Sequence, residues 1–462
     1  MEASSDFGHQ TQVFSCWFKA LSGAVLSDAV EIADLRSRDA GRGVVATRDI
    51  SADTVLFRIP RKAIISIETS DLRQRLPQLF HSHGDDDEQQ ELDAWSALIL
   101  VLMYEHFLGS DSSWKPYLDV LPETFDTPMF WSDQELAELQ ASALPSKIGK
   151  AEADDTFRTR LLPVIRGRPD VFRSSEGYSD QQLLGLAHRM GSTVMAYAFD
   201  LENDEDDDEA NEDGWVENRE DKALMGMVPM ADMMNADAEF NAHVNHEDEH
   251  LTVTSLRPIQ AGEEILNYYG PHPNSELLRR YGYVTDKHAR YDIVELPWSR
   301  IEDATAAHLN LPQDVIDKSR IRMQEDDELE DSFVLERVSN EPLSDGTLDG
   351  TASVSEVPAD LHRQLKALLK ILQGRDVLDK RARDEVQTVI LTRALVAVES
   401  SYRTSMAEDE LLLRQDGGLS KRRKMAIQVR LGEKRLINEV KIFLAADEPA
   451  SRRHAKKVKS AA

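Results

Sequence analysis

The chain has 462 residues, 41% of them hydrophobic, a composition that suits a protein burying real cores and sets an expectation of about two to four domains. No run approaches the roughly 18 uninterrupted apolar residues of a membrane helix, the opening MEASSDFGHQ has no secretory-signal pattern, and one cysteine, Cys16, excludes a disulfide framework and any multi-cysteine zinc site. Lysine and arginine number 54 against 84 acidic residues, and the net charge of −30 repels phosphate backbones, so direct nucleic-acid binding is disfavoured and basic partners are favoured.

Residues 1–20 read as an N-terminal segment. From Gly43 to Ile67, β-branched runs broken by turns (VVATRDI, VLFRIP, AIISI) predict short strands. The run HSHGDDDEQQE, 81–91, reads as an acidic loop. Leu92, Trp95, Leu98, Ile99, Leu102 and Met103 recur at spacings of three and four, which predicts a helix to Leu108. Further helices are expected near 133–143, 155–166 and 180–198, giving a helical insert over about 70–190. In ENDEDDDEANED, 202–213, nine positions are acidic; such a run cannot bury enough apolar surface to order itself and reads as a solvated loop. Strand character returns at HLTVTSLRPI, 250–259, and EEILNYYG, 263–270. Residues 291–358 read as a connecting segment ending in a linker from Ser339 to Asp360, rich in Ser, Gly, Thr, Asp and Pro. After about 300 the chain reads as helices, with a helical domain over 359–446 and a basic tail over 447–462. This order gives an α+β class and departs from the alternation of a doubly wound sheet.

Three motifs stand out. In Gly41-Arg42-Gly43-Val44, two glycines flanking one residue permit a tight bend and close approach of backbone to a ligand. It is not a dinucleotide fingerprint, because position 46 is Ala and no helix follows. In Val228–Asn235 (VPMADMMN), Asp232 and Asn235 sit amid apolar residues; buried polar side chains need partners, so they brace backbone or hold a ligand, unless they only cap a turn. Gly262–Gly270 (GEEILNYYG) is a strand ending in aromatics, followed by LLRRYGY, 277–283, whose tyrosines taken alone are packing residues. A fourth motif, His246–His250 (HEDEH), matches the zinc-protease pattern. That chemistry needs both histidines on one helix face. Here the motif precedes a strand and has an acidic interior, so it reads as the tip of a hairpin or as a loop, and no metal is expected.

The order GRGVVATRDI, VPMADMMNADAEFNAHV, AGEEILNYYGPHPNSELLRRYGYV resembles the SET-domain protein lysine methyltransferases. Within them it is similar to the Rubisco large-subunit methyltransferase type, nearest the fungal ribosomal lysine N-methyltransferase 4 subfamily. LSKRRKMAIQVRLGEKRLI resembles that type's C-terminal domain, and the likeness covers about residues 20–445. It implies a SET domain over 21–290 built of small knotted β-sheets, an all-α substrate-binding domain, and S-adenosyl-L-methionine as cofactor. Carried over by motif, Gly41, Arg42 and Gly43 (through backbone), Tyr197, Asn235, Ala236 and Tyr281 bind the cofactor. Tyr269 is the catalytic tyrosine, and Trp114, Ala198 and Pro229 lie along the substrate channel. The family pattern has Asn-His where this chain has Asn235-Ala236, so the histidine's contribution comes through backbone or is lost. The implied substrate is a basic protein, a 60S ribosomal protein first, in the nucleus, the cytoplasm or both. A non-catalytic SET-like protein-binding module is the alternative. KRRK, 421–424, reads as an import signal or as a solvated basic helix face.

Overall fold

The computed structural model describes residues 2–80, 92–201, 224–326, 329–373, 380–415 and 417–446. The acidic runs 81–91 and 202–213 and the basic tail lie outside the described residues. The chain divides into two units, each discontinuous in sequence: Met1–Phe125, Gly149–Gly270 and Pro342–Leu348 form one, and Asp126–Ile148, Pro271–Glu341 and Asp349–Ala462 the other.

In the first unit the N-terminal segment is a helix, α1 (Glu2–Ala20), where the sequence reading assigned no element. Its Phe14 and Phe18 are fully buried in the unit's core. Strands β1 (Val25–Leu26), β2 (Val30–Asp34), β3 (Arg42–Ala46), β4 (Val55–Pro60) and β5 (Ile65–Ser66) follow. The insert then supplies α2 (Leu72–Arg75), α3 (Ala94–Leu108) and α4 (Lys115–Leu118); the short α5 (Asp133–Leu136) belongs to the second unit. Asp93 caps α3 by accepting the Ser96 amide, and Gly109, at φ 56°, ends it. After α6 (Lys150–Thr156), one π-helical stretch, Phe157–Leu161, leads into α7 (Leu162–Gly167). Pro163 explains the interruption: it has no N–H for the preceding turn. A capping box of Ser179 and Gln182 starts α8 (Asp180–Tyr197). Gly191 lets α8 lie against α3, since a Cβ there would stand 3.0 Å from the Trp95 ring.

Six short strands complete this unit: β6 (Ala198–Asp200), β7 (Met225–Met227), β8 (Asn235–Ala236), β9 (Ala242–His246), β10 (His250–Ser255) and β11 (Glu264–Asn267). They form three sheets, ordered β1-β4-β10-β9, β2-β3-β11-β8 and β5-β7-β6. All pairings are antiparallel except β8 with β11. Along β4, Val55 and Arg58 are exposed while Leu56, Phe57, Ile59 and Pro60 are buried, a broken alternation that coincides with the shift of register against β10 between Val253 and Thr254.

In the second unit, α9 (Asn274–Tyr281) ends at Gly282 in the left-handed conformation, and β12 (Val294–Pro297) precedes α10 (Trp298–Leu309) and α11 (Gln313–Asp326). A strand, β13 (Ser332–Leu335), pairs antiparallel with β12 inside the segment read as helices and linker. Its four residues, with Phe333 and Leu335 inward, are too few for periodicity to reveal. Helices α12 (Ala359–Gln373), α13 (Lys380–Ser400), α14 (Met406–Arg414) and α15 (Lys421–Ala446) bury Leu365, Leu368, Ile390, Leu391, Leu436 and Ile437 in one cluster.

The expected linker is also partly anchored. Residues 342–348 group with the first unit, where Gly346, at φ 80°, accepts the Phe240 amide at 3.0 Å. A Cβ on Gly346 would lie 2.2 Å from the Phe240 carbonyl oxygen. Turn-forming composition predicted the irregular backbone and could not show that the turn docks.

Candidate active site

β11 is the strand on which the site is assembled. One edge pairs antiparallel with β3, Glu264 opposite Val45 and Ile265 opposite Val44. The other pairs parallel with β8, Leu266 opposite Asn235 and Asn267 opposite Ala236. Segments 193 residues apart thereby become neighbours: the Asn235 side chain donates from Nδ2 to the Arg42 carbonyl at 3.3 Å and to Glu264 Oε1 at 2.7 Å. Both donors of the amide are engaged, which fixes which way it faces. Among the described residues its Oδ1 accepts no hydrogen bond.

The two glycines of the bend have different reasons to be glycine. A Cβ on Gly43 would meet Leu35 Cδ1 at 2.4 Å, Glu264 Oε1 at 2.8 Å and Asn235 Nδ2 at 2.9 Å. Gly41 has nothing within 4 Å in that direction and is exposed. The Arg42 side chain turns away from the bend, towards α1. It donates to Thr11 Oγ1 at 2.9 Å, to the Val120 carbonyl at 2.9 Å and to the Phe7 carbonyl at 3.3 Å, with its guanidinium 3.8 Å from the Phe7 ring centre. Only the backbone of Arg42 is left to line the bend.

Tyr269 follows β11 and is half-buried; its hydroxyl donates to the Met234 carbonyl at 3.3 Å, one residue before Asn235. The bend 41–43, Asn235, Ala236 and Tyr269 are therefore brought together. Behind Met234 lies a tight turn, Ala231–Met233, carrying Asp232, which is 5% exposed. Tyr117 of α4 donates its hydroxyl to Asp232 Oδ2. Burial pushes the Asp232 carboxyl up to about 8, against the opposing effect of the Tyr117 hydroxyl. Tyr197 at the end of α8 senses the same carboxyl, and burial with that charge holds its phenol up at about 12.

The residues expected along the substrate channel are distributed around this turn. Ala198 opens β6 and pairs with Met227 of β7, and Pro229, buried, follows β7 into the Asp232 turn. Trp114 is 8% exposed in the core, its indole N–H donating to the Ala63 carbonyl at 2.8 Å, and its own carbonyl accepts the Tyr117 amide. Tyr281 ends α9 in the second unit, its ring 6.4 Å from His272 and 6.1 Å from Tyr283. The HEDEH motif is the tip of the β9–β10 hairpin, with the Glu247 amide donating to the His250 carbonyl at 3.1 Å. Sequence reasoning did not single out Glu264 or Tyr117. Neither carries a pattern of its own, and both matter here through a partner far away in the chain.

Family comparisons give the matching pattern: the SET domain matches residues 41–270, and the Rubisco LSMT substrate-binding domain matches residues 317–437, together more than half of the chain. The chain belongs to the SET-domain family. This SET protein is 34% identical over 306 residues to Ribosomal lysine N-methyltransferase 4 of Saccharomyces cerevisiae, an alignment spanning 65% of this chain and 60% of that relative. With N-lysine methyltransferase SETD6 of Homo sapiens it shares 28% identity over 428 residues, 87% of this chain and 84% of the relative. Its fold is that of the SET domain of LSMT solved with MeLysine and AdoHcy, with a TM-score of 0.63 at 19% identity, over 95% of this chain and 92% of that one. Rubisco LSMT solved with AdoMet gives 0.58, also at 19% identity.

Proposed function

We propose that this SET protein is an S-adenosylmethionine-dependent protein-lysine N-methyltransferase acting on a basic protein of the 60S ribosomal subunit. The observation that carries the reading is the convergence of the Tyr269 hydroxyl, the Asn235 amide and the Gly41–Gly43 bend. The names of the yeast and human relatives support the reaction, and the yeast name supports the ribosomal substrate. Where ribosomal proteins are made and assembled, the nucleus and the cytoplasm, is where the protein would meet that substrate.

The donor set suits the cofactor. Asn235 Oδ1 is free to accept from an amino group, and Gly41 leaves its side of the bend open to a ligand. Gly41, Arg42 and Gly43 contribute backbone, and Asn235, Ala236 and Tyr197 complete the proposed set in the first unit. Ala236 contributes through its backbone where the family pattern has a histidine. Bound S-adenosylmethionine supplies a methyl group on a sulfonium, an electrophile that needs neither metal nor covalent enzyme intermediate.

The chain's own residues supply the rest. A free lysine has a pKa near 10.4 and is protonated at neutral pH, so it must give up a proton to solvent before its lone pair can attack. Apolar surroundings disfavour the ammonium and lower that pKa; the turn whose Met234 carbonyl receives the Tyr269 hydroxyl carries buried Met230, Met233 and Met234. The hydroxyl of Tyr269, oriented by its bond to the Met234 carbonyl, presents its oxygen to align the amine and the methyl group. Alignment of this kind contributes about 7–11 kcal/mol in favourable intramolecular cases.

The test is incubation of the protein with labelled S-adenosylmethionine and a ribosomal extract, followed by mass spectrometry of the labelled band. A labelled lysine in a ribosomal protein is expected with the wild type and none with Tyr269→Phe, whose circular dichroism stays native. Ala236 favours a second reading, a SET-like scaffold that grips a protein without turnover. Calorimetry separates the two, because absence of S-adenosylmethionine binding is the result that reading requires.

A further inference from the structure

We propose that Tyr117, from the helical insert, is a positioning residue for Tyr269: its hydroxyl closes on Asp232 and so fixes the turn whose Met234 carbonyl receives the Tyr269 hydroxyl. This rests on the methyltransferase reading above and adds to it a residue that does not itself touch the reacting atoms.

The turn needs an external restraint. Met230 enters it at φ 77°, a conformation that costs a residue with a side chain and persists only where the surroundings enforce it. The backbone ties are local: Asp232 N to the Val228 carbonyl at 3.2 Å, Met233 N to Met230 at 3.3 Å and Met234 N to Ala231 at 3.2 Å. The side-chain tie is Tyr117 to Asp232, both buried. Among the described residues Tyr117 is the only side chain that hydrogen-bonds the Asp232 carboxyl, whose other support comes from the backbone N–H groups of Asp232 and Met230. From that turn the chain runs through Met234 to Asn235, so the same anchor serves the carbonyl that orients Tyr269 and the amide beside the glycine bend.

Tyr117 is itself rigidly held. Its amide donates to the Trp114 carbonyl at 2.9 Å, Phe14 of α1 packs at 5.9 Å between ring centres, and Trp17 stacks at 6.5 Å with 6° between planes. Phenylalanine would fill this space equally well. The hydroxyl's use is Asp232, and burying a carboxyl against one phenol is a poor way to gain stability, since an apolar pair of similar volume does so without desolvating charge. A buried polar pair of this kind is explained by what it holds in place. Because burial keeps the carboxyl largely protonated near neutral pH, an amide at 232 preserves the acceptor for Tyr117.

The experiment compares wild type, Tyr117→Phe, Asp232→Ala, Asp232→Asn and the double variant Tyr117→Phe/Asp232→Ala, measuring kcat, KM, S-adenosylmethionine Kd and Tm. Tyr117→Phe is expected to lower kcat by about tenfold to a hundredfold through misalignment, with Kd changed less than about threefold. The double variant is expected to be no slower than the slower single variant, as for residues acting in series. Asp232→Asn should retain more turnover than Asp232→Ala. A Tyr117→Phe protein with a lower Tm and an unchanged kcat per folded molecule, or losses that multiply in the double variant, overturns the proposal. A second readout does not need turnover: with ring-13C tyrosine, the Tyr269 signal, assigned by its loss in Tyr269→Phe, should shift or broaden in Tyr117→Phe. An unmoved Tyr269 signal overturns the positioning role, whereas a wild type that transfers no methyl group yet shows the shift defeats only the methyltransferase reading.

Discussion

Gly43 and Asn235 illustrate how closely single residues specify this site. A methyl group at position 43 must displace Leu35, Glu264 or the Asn235 amide, each within 3 Å of where it would sit. Gly43→Ala is therefore expected to destabilise by about 1–3 kcal/mol, as overpacked sites do, and to weaken S-adenosylmethionine binding by turning the amide. Gly41→Ala meets no neighbour and is expected to leave Tm nearly unchanged; thermal melts and calorimetry on the pair check both. In the second unit, Glu433 is held by Ser142 at 2.6 Å and Tyr402 at 2.8 Å, and burial raises its carboxyl to about 7. A folded-state pKa above the unfolded value means the native state binds the proton more tightly. The associated stabilisation is complete below about pH 4.5 and is lost as pH rises through 7. Asp292, raised to about 6 by burial, acts with the same sign. Stability should thus fall between pH 5 and 8, by up to about 3 kcal/mol from Glu433, and Glu433→Gln should flatten that slope in melts taken across the range. At this scale the motif order pointed to Tyr269 and Asn235. It could not point to Glu264 or Tyr117, because a glutamate in a strand and a tyrosine in a short helix look the same whether or not a distant partner waits for them.

Elements show a different balance. The long helix α3 and strand β10 were legible, because helical periodicity over many residues or a β-branched run is a local property, whereas β9, its partner in the hairpin, was not assigned. The three-residue β7 and two-residue β8 were not, since strands that short exist only because a neighbour pairs with them. Helix α1 is the element with the clearest functional consequence. It holds the Arg42 guanidinium through Phe7, Gln10 and Thr11 and packs Phe14 and Trp17 on Tyr117. Releasing Arg42 with the pair Gln10→Ala and Thr11→Val should therefore loosen the glycine bend. S-adenosylmethionine Kd is expected to rise by about threefold to tenfold, the loss of one or two modest hydrogen bonds, with KM for the protein substrate unchanged; isothermal titration and steady-state kinetics separate the two.

For the molecule as a whole, the charge of −30 is the property that reaches furthest from the surface. It favours encounter with a lysine-rich partner and acts mainly on association rate, which ions screen. KM for a basic protein substrate is expected to rise with ionic strength from about 50 to 300 mM salt while S-adenosylmethionine Kd, governed by close contacts, moves little. A KM that stays flat across that range removes steering from the account. Both units are assembled from separated stretches of chain: 126–148 joins the second unit and 342–348 the first. Composition marked 339–360 as turn-rich, and only the fold revealed that its Gly346 packs on Phe240.

By itself the sequence determined the class of fold, the positions of most of the longer helices and of strand β10, and the motifs that carry the likeness to SET proteins, because each of these is written in local periodicity or in a short motif. The tertiary structure alone decided that Asn235 faces Arg42 and Glu264, that Tyr269 reaches Met234, and that Tyr117 closes on Asp232. Those are contacts between residues up to 193 positions apart. Their geometry follows from how β11 is sandwiched between β3 and β8, and a pairing between distant strands leaves no mark on either strand's own sequence.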